Sequence, residues 1–252
     1  MDYKNVKIVK IKGGLGNQLF QYSFALFLKE KFGLKVILDI SWFKKQTKRN
    51  FILPEFVNIR LDVVELKKSS LIAKIVNYRT EDLFTNMILK KNLPPIRVYD
   101  GYWQNIVFAS ELKKENLNKY FSKPIVQGDY YFIHLRGTDF KLSKSHNLID
   151  YSYYQKNLKF FKNKKVFALT DDLNEFNSTI KKSNNEIEIF NGNEKEAFNL
   201  IFFSKGGILS NSTFCWWPVF LSNKKNIIQP YNWLKSSNLF DAKLNLSSSL
   251  VI

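Results

Sequence analysis

The chain has little of what most metal and redox sites are built from. Its 252 residues include one cysteine, Cys215, and two histidines, His134 and His146. A single thiol excludes an intramolecular disulfide framework and any zinc site made of several thiolates. Two imidazoles are too few for most histidine-rich metal sites, and Asp-x-Asp occurs nowhere. Long apolar runs are missing too: the longest, Phe214 to Leu221, contains Pro218 and falls far short of the roughly 18 residues of a spanning helix. The opening residues lack the continuous apolar stretch of a signal peptide. These absences set the expectation of a soluble intracellular protein without a thiolate zinc site or a histidine-rich metal site.

Acidic residues are scarce as well. Lys and Arg number 39 against 22 Asp and Glu, a formal charge of +17, yet only Arg49, Arg60, Arg79, Arg97 and Arg136 are arginines. Nucleic-acid readers draw on arginine for bidentate contacts, whereas lysine is scattered here along the whole chain. Nucleic acid is therefore not the expected partner. A solvated lysine surface accounts for the composition, and the field also suits an anionic membrane face or a polyphosphate ligand. With 45% hydrophobic and 16% aromatic residues the chain can bury a core, and its length allows two small domains or one large one.

Alternation over Val6 to Ile11 predicts a strand. It runs into Gly13-Gly14-Leu15-Gly16-Asn17-Gln18, followed by an amphipathic helix over Leu19 to Phe32 with Gly33 as its stop, then a strand over Val36 to Asp39. That is a βαβ unit. Residues 44–95 give no clear reading, and Glu111 to Phe121 has the pattern of a polar helix. Lys123-Pro124 to Asp129 reads as a linker. Beyond it strands are expected over Tyr130 to Leu135, Val166 to Thr170, Glu186 to Phe190 and Gly207 to Ser210, with helices over Glu194 to Ser204 and Thr213 to Ser222. Two successive α/β halves follow, residues 1–122 and 123–252.

Four segments can carry chemistry. The glycine turn lets backbone N–H groups approach an anion at a helix start, with the amides of Asn17 and Gln18 at its tip; an empty tight turn is the plainer reading. Gly14-x-Gly16-x-x-Leu19 lacks the third glycine of the dinucleotide fingerprint, although Asp39 stands at a suitable distance beyond it. His134-Leu135-Arg136-Gly137-Thr138-Asp139 ends a strand, and Arg136 is the only arginine after Arg97. Its planar fork matches a diphosphate; a structural Arg136–Asp139 ion pair is the alternative. Ser210-Asn211-Ser212-Thr213-Phe214 opens a helix and can hold phosphate oxygens or serve as an ordinary cap. Thr170-Asp171-Asp172 ends a strand in paired acids, suited to a metal, though no Asp-x-Asp accompanies them, to a purine's donor edge, or to capping a helix.

In that order these segments resemble the GDP-fucose-dependent α-1,2-fucosyltransferases of glycosyltransferase family 11. The matching pieces are Gly13 to Tyr22, Gly101-Tyr102-Trp103-Gln104, His134 to Asp139, Thr170-Asp171-Asp172, Ser210 to Trp217 and Gln229-Pro230-Tyr231-Asn232-Trp233. The resemblance implies an α/β protein of GT-B type, two Rossmann-like domains facing across a cleft. Residues 1–122 would form the acceptor side and 123–252 the nucleotide-sugar side. It also implies inverting transfer of L-fucose from GDP-β-L-fucose to the 2-hydroxyl of a galactoside, with no metal and no cofactor beyond the donor substrate.

Carried onto this sequence, the resemblance makes Arg136 the group that neutralises the departing diphosphate and His134 the group that orients diphosphate or fucose. Asn211, Ser212 and Thr213 would hold phosphate, Phe214 would lie against guanine or ribose, and Asp171 and Asp172 would sit at the guanosine end. Asn17 and Gln18 would line the cleft. Asp139 is the expected general base, with Asp39 or a water-mediated route as alternatives. The partner implied is a galactose-terminated oligosaccharide, lipid-linked in bacterial surface-glycan (O-antigen) synthesis, which suits a cytoplasmic enzyme held peripherally at the inner membrane face. One departure stands out: the family's second arginine is replaced by Gly137. Rival readings are another linkage or nucleotide sugar on the same fold, an NAD-type dehydrogenase built on Gly14, Gly16 and Asp39, and a binding module without turnover.

Overall fold

The alternating start of the chain forms strand β1, Val6–Lys10, and the apolar run after the first helix forms β2, Lys35–Asp39. Two short strands join them, β3 (Asp62–Val64) and β4 (Val98–Tyr99), in the order β3-β2-β1-β4 with every pair parallel. The computed structural model describes residues 6–66, 78–112, 117–137, 148–180, 186–231, 233, 244–246 and 249–251.

Helix α1, Leu15–Phe32, connects β1 to β2 and begins four residues before the sequence pattern suggests, at the glycine turn itself. It is not amphipathic as expected. From Leu15 to Leu28 every residue except Asn17 is buried, and the exposed charges Lys29, Glu30 and Lys31 are confined to the last turn. The reason is that α1 packs on β1 and β2 on one side and on the turns Leu53–Glu55 and Ile106–Ala109 on the other. A helix apolar all round is a helix covered all round. Phe24 lies at its centre, stacked on Trp103 at 4.1 Å and edge-on to Tyr99 and Phe108.

The stretch that gave no reading contains a turn of 3-10 helix at Ser41–Lys45, the turn Leu53–Glu55, β3, and helix α2, Tyr78–Leu89. The helix expected over residues 111–121 does not hold among the described residues there. Leu117 instead pairs with Val57 in an isolated antiparallel bridge, and Lys119–Ser122 is a 3-10 turn. The chain divides at this point into two units, Met1–Asn118 and Lys119–Ile252. Leu117 belongs to the first, whereas Phe121 packs on Phe198 at 5.1 Å and on Phe202 in the second, so the two ends of the segment are held by different cores.

The second unit is a six-stranded sheet of order β10-β9-β8-β5-β6-β7, again with all pairs parallel. Its strands are β5 (Tyr131–Leu135), β6 (Val166–Thr170), β7 (Ile187–Ile189), β8 (Gly206–Ile208), β9 (Asn226–Gln229) and β10 (Ser249–Val251). Parallel strands need crossovers, supplied by helices α3 (Tyr151–Leu158), α4 (Glu194–Phe203) and α5 (Thr213–Ser222). A capping box between Asn193 and Glu196 starts α4. The burial of β5 and β6 is nearly continuous, as strands covered on both faces require.

Both sheets reverse direction beside their first strand. In the first, β2 and β3 lie to one side of β1 and β4 to the other; in the second, β6 and β7 lie to one side of β5 and β8 to the other. Open parallel sheets bind ligands outside the carboxyl ends of the strands at such a reversal. Among the described residues no helix is long and apolar enough to cross a membrane.

Candidate ligand sites at the two sheet reversals

In the second unit the reversal lies between β5 and β8, where Ile133 pairs with Ile208. Just beyond, His134 Nδ1 is 2.8 Å from Ser210 Oγ, both side chains being buried. Burial, aided by the positive charge of Arg136, drops the imidazole from 6.5 to about 3, so the ring is neutral near pH 7. Phe214 lies beside it, ring centroids 6.0 Å apart. Ser212 caps α5 by accepting the Phe214 N–H at 3.3 Å, and the helix dipole adds partial positive charge there.

Arg136 follows β5 directly. Its Nε makes an ion pair with Asp171 Oδ2 at 3.3 Å, while the other carboxylate oxygen, Oδ1, accepts the Gly137 N–H at 2.8 Å. Asp171, at the end of β6, thus braces the loop that carries the arginine. Gly137 has a steric reason: a Cβ there would stand 2.8 Å from Asp172 Oδ2 and 3.1 Å from Tyr151 Oη. Any larger side chain there would have to displace Asp172. Asp172 also takes part in a local turn, its N–H donating to Thr170 Oγ1 at 3.0 Å and its carbonyl accepting from Phe176 N–H. Asn211 is buried and donates to the Trp233 carbonyl at 2.9 Å, fastening the chain that follows β9.

In the first unit the reversal between β1 and β4 brings the glycine turn beside Gly101-Tyr102-Trp103-Gln104. Gly13 has φ +81, and a Cβ on it would lie 2.9 Å from Asn17 Nδ2, so only glycine lets the Asn17 amide fold over the turn. Gln104 Nε2 donates to Asn17 Oδ1 at 2.7 Å. Trp103 carries the bend that aims Gln104 there, with φ 55, a conformation costly for a bulky residue and held by its stacking on Phe24. Lys10 and Lys12 both reach Asp100, at 2.8 and 2.6 Å, and Lys12 Nζ lies 5.1 Å from the Tyr102 ring centre. Burial alone would raise the Asp100 carboxyl, but hydrogen bonds and charge from the two lysines outweigh it and hold it below the usual range. A carboxylate so held is a poor proton acceptor.

Gln18 and Gln21 are wholly buried amides on one face of α1. Gln18 donates to the carbonyls of Gly13 and Asn50 and accepts from the N–H groups of Ile52 and Leu53, at 2.9–3.2 Å. Every donor and acceptor of its amide is thereby used on backbone, and its part here is to tie the glycine turn to the segment Asn50 to Leu53. Gln21 accepts from Lys12 N–H and donates to the Gly101 carbonyl, clamping the ends of β1 and β4 together. Asp39, the alternative base and ribose acid, is buried, and its Oδ1 takes the N–H groups of Ser41 and Leu66.

Of the residues singled out from the sequence, His134, Arg136, Asp171, Asp172, Asn211, Ser212, Thr213 and Phe214 gather along the carboxyl edge of the second sheet, and Asn17 and Gln18 stand at that of the first. Asp139 and His146 lie outside the described residues. Sequence reasoning placed Ser210 in a phosphate-holding segment but not as the partner of His134, and it gave no role of its own to Gln21, whose signal is a polar side chain in an otherwise apolar run. It also missed Arg49, whose Nη1 is 3.5 Å from where a side chain at Gly14 would begin. Among the described residues no three His, Cys, Asp or Glu side chains are grouped as a metal site.

A family model described as glycosyl transferase family 11 matches residues 3–245. Two Escherichia coli proteins are similar over nearly their whole lengths. The O-antigen biosynthesis glycosyltransferase WbnK is 26% identical, covering 94% of this chain and 97% of its own, and an alpha-1,2-colitosyltransferase is 25% identical, covering 93% and 94%. Among solved structures, NodZ alpha-1,6-fucosyltransferase soaked with GDP-fucose, a protein from Bradyrhizobium, superposes with a TM-score of 0.57 at 12% identity, over 93% of this chain and 96% of that one. That likeness is one of fold, and with the two parallel α/β units it makes this fold GT-B in type.

Proposed function

The chain belongs to glycosyl transferase family 11, and from that premise we propose an inverting transfer of L-fucose from GDP-β-L-fucose to the 2-hydroxyl of a galactoside. The observation that carries the donor half is the second sheet's reversal, where Arg136, braced by Asp171, stands near a neutral imidazole and the start of α5. In the reaction the bond from fucose C1 to the diphosphate oxygen breaks as the acceptor oxygen attacks from the opposite face. Negative charge collects on the departing GDP. Arg136 meets that charge with a fixed guanidinium and α5 with backbone N–H groups, so no metal is required in this reading. Loss of one preorganised donor of this kind costs about 3 kcal/mol in the barrier. Asp139 is the group we assign to take the acceptor's proton.

The relative named for O-antigen biosynthesis supports a place in bacterial surface-glycan assembly. The acceptor would then be a galactose-terminated, lipid-linked oligosaccharide, met by a cytoplasmic enzyme peripheral to the inner membrane face. A second reading keeps the fold but changes the sugar or linkage, and the names alpha-1,2-colitosyltransferase and alpha-1,6-fucosyltransferase among the similar proteins favour testing it. The dehydrogenase reading loses support because the chain belongs to a glycosyl transferase family and Leu19 stands where the dinucleotide fingerprint needs its third glycine. A panel of nucleotide sugars with galactosides, followed by linkage analysis of the product, tests the proposal. It expects fucose on the galactose 2-hydroxyl; another sugar or linkage selects the second reading, and GDP binding without turnover selects a binding module.

A further inference from the structure

We propose that the Ser210 hydroxyl is a positioning group that holds His134 in the tautomer protonated at Nε2, so that the ring offers its ligand an N–H and not a lone pair. A neutral imidazole carries one N–H and one lone pair, and which nitrogen bears the proton is set by the partner of the other. Here the partner of Nδ1 is Ser210 Oγ at 2.8 Å. The adjacent strands fix that contact: β5 and β8 run in register at Ile133 and Ile208, and His134 and Ser210 come just after those residues.

The direction of the bond follows from where each hydrogen can go. The Cys215 thiol is also buried, and its nearest acceptor is the Ser212 carbonyl at 3.2 Å, with the Ser210 carbonyl farther off at 3.7 Å. Burial pushes that thiol up to about 12, so it keeps its hydrogen. Among the described residues, Ser210 Oγ then has two neighbours to which its own hydrogen can point: His134 Nδ1, and Cys215 Sγ at 3.9 Å. If Nδ1 were protonated, the hydroxyl hydrogen would be left with a distant sulfur, a weak acceptor. With Nδ1 as a lone pair, the hydroxyl donates along the 2.8 Å contact, an ordinary O–H···N length, and the imidazole proton resides on Nε2.

The consequence is a hydrogen-bond donor without a charge, next to Arg136, which supplies the charge. For the ligand's identity this rests on the GDP-sugar reading; the tautomer itself does not. In such a site Nε2–H would bond an anionic or sugar oxygen, and Ser210, which is fully buried, would act only through the ring.

Nitrogen-15 histidine spectra of the whole protein decide it, because the chain has only two histidines and a His146→Gln variant leaves His134 alone. The expected spectrum shows a neutral ring protonated at Nε2 in the absence of any ligand. In Ser210→Ala the ring becomes a mixture of tautomers, and kcat for GDP-fucose falls about tenfold with KM little changed. An Nδ1-protonated ring in the unaltered protein, or the same tautomer in Ser210→Ala, overturns the proposal. If the Nε2–H tautomer is found but GDP leaves its resonance unmoved, the positioning role stands and the donor-site reading fails.

Discussion

A buried amide that already makes four hydrogen bonds has nothing left to offer a ligand, and Gln18 is such a residue. Gln18→Met keeps the volume but strands two carbonyls and two N–H groups. Stability is expected to fall by about 2–3 kcal/mol, read by denaturant unfolding, while affinity for GDP stays unchanged. A loss of affinity with unchanged stability would return Gln18 to the ligand. His134 gives a prediction in pH. Its imidazole goes from 6.5 to about 3 on folding, so the unfolded chain binds an extra proton between those values. The associated stability is complete above about pH 6.5 and is lost as pH falls toward 3. His134→Gln removes that component, and its urea midpoint should drop less steeply than the parent's between roughly pH 7 and 5. These residue-level facts were only half visible beforehand. The polar types at the strand ends stood out in the sequence, but whether each faces ligand or backbone depends on partners such as Asn50 and Leu66, far along the chain.

At the scale of elements, the loop after β5 and the loop after β6 act together, because one Asp171 carboxylate holds both Arg136 Nε and Gly137 N–H. Asp171→Ala should cost about tenfold in GDP affinity by loosening Arg136, roughly 1.4 kcal/mol, with the nucleotide preference unchanged. A switch in preference among GDP, ADP and UDP would instead mean that Asp171 reads the base. The helices and strands with strong periodicity were legible: Thr213–Ser222 forms over the span its sequence suggests, and β1, β2, β5 and β6 lie where their apolar runs are. The elements that escaped are short or mixed. β3 has three residues, two of them exposed, and carries no burial signal, while α3 hides a helical face among Tyr151, Tyr153 and Tyr154. The helix expected near residue 117 failed because long-range pairing with Val57 outweighed local pattern.

For the molecule as a whole, parallel order and the paired α/β units could be read from the alternation of strand and helix, since crossovers admit few topologies. Where each sheet reverses was not readable, because that depends on which side β4 and β8 take. The net charge of +17 belongs to this scale too. If it draws the protein to an anionic membrane face, sedimentation with phosphatidylglycerol vesicles should be strong near 0.05 M salt and largely lost by about 0.5 M, as screening shortens the Debye length. Binding that ignores salt would point to an apolar anchor. One titration tests the donor site most directly: calorimetry with GDP in EDTA, with UDP, ADP and NAD alongside, for the parent chain and Arg136→Ala. The expected result is selective GDP binding without metal, weakened about a hundredfold in Arg136→Ala, near 2.7 kcal/mol. Binding of NAD in place of GDP, or GDP binding indifferent to Arg136, would contradict it.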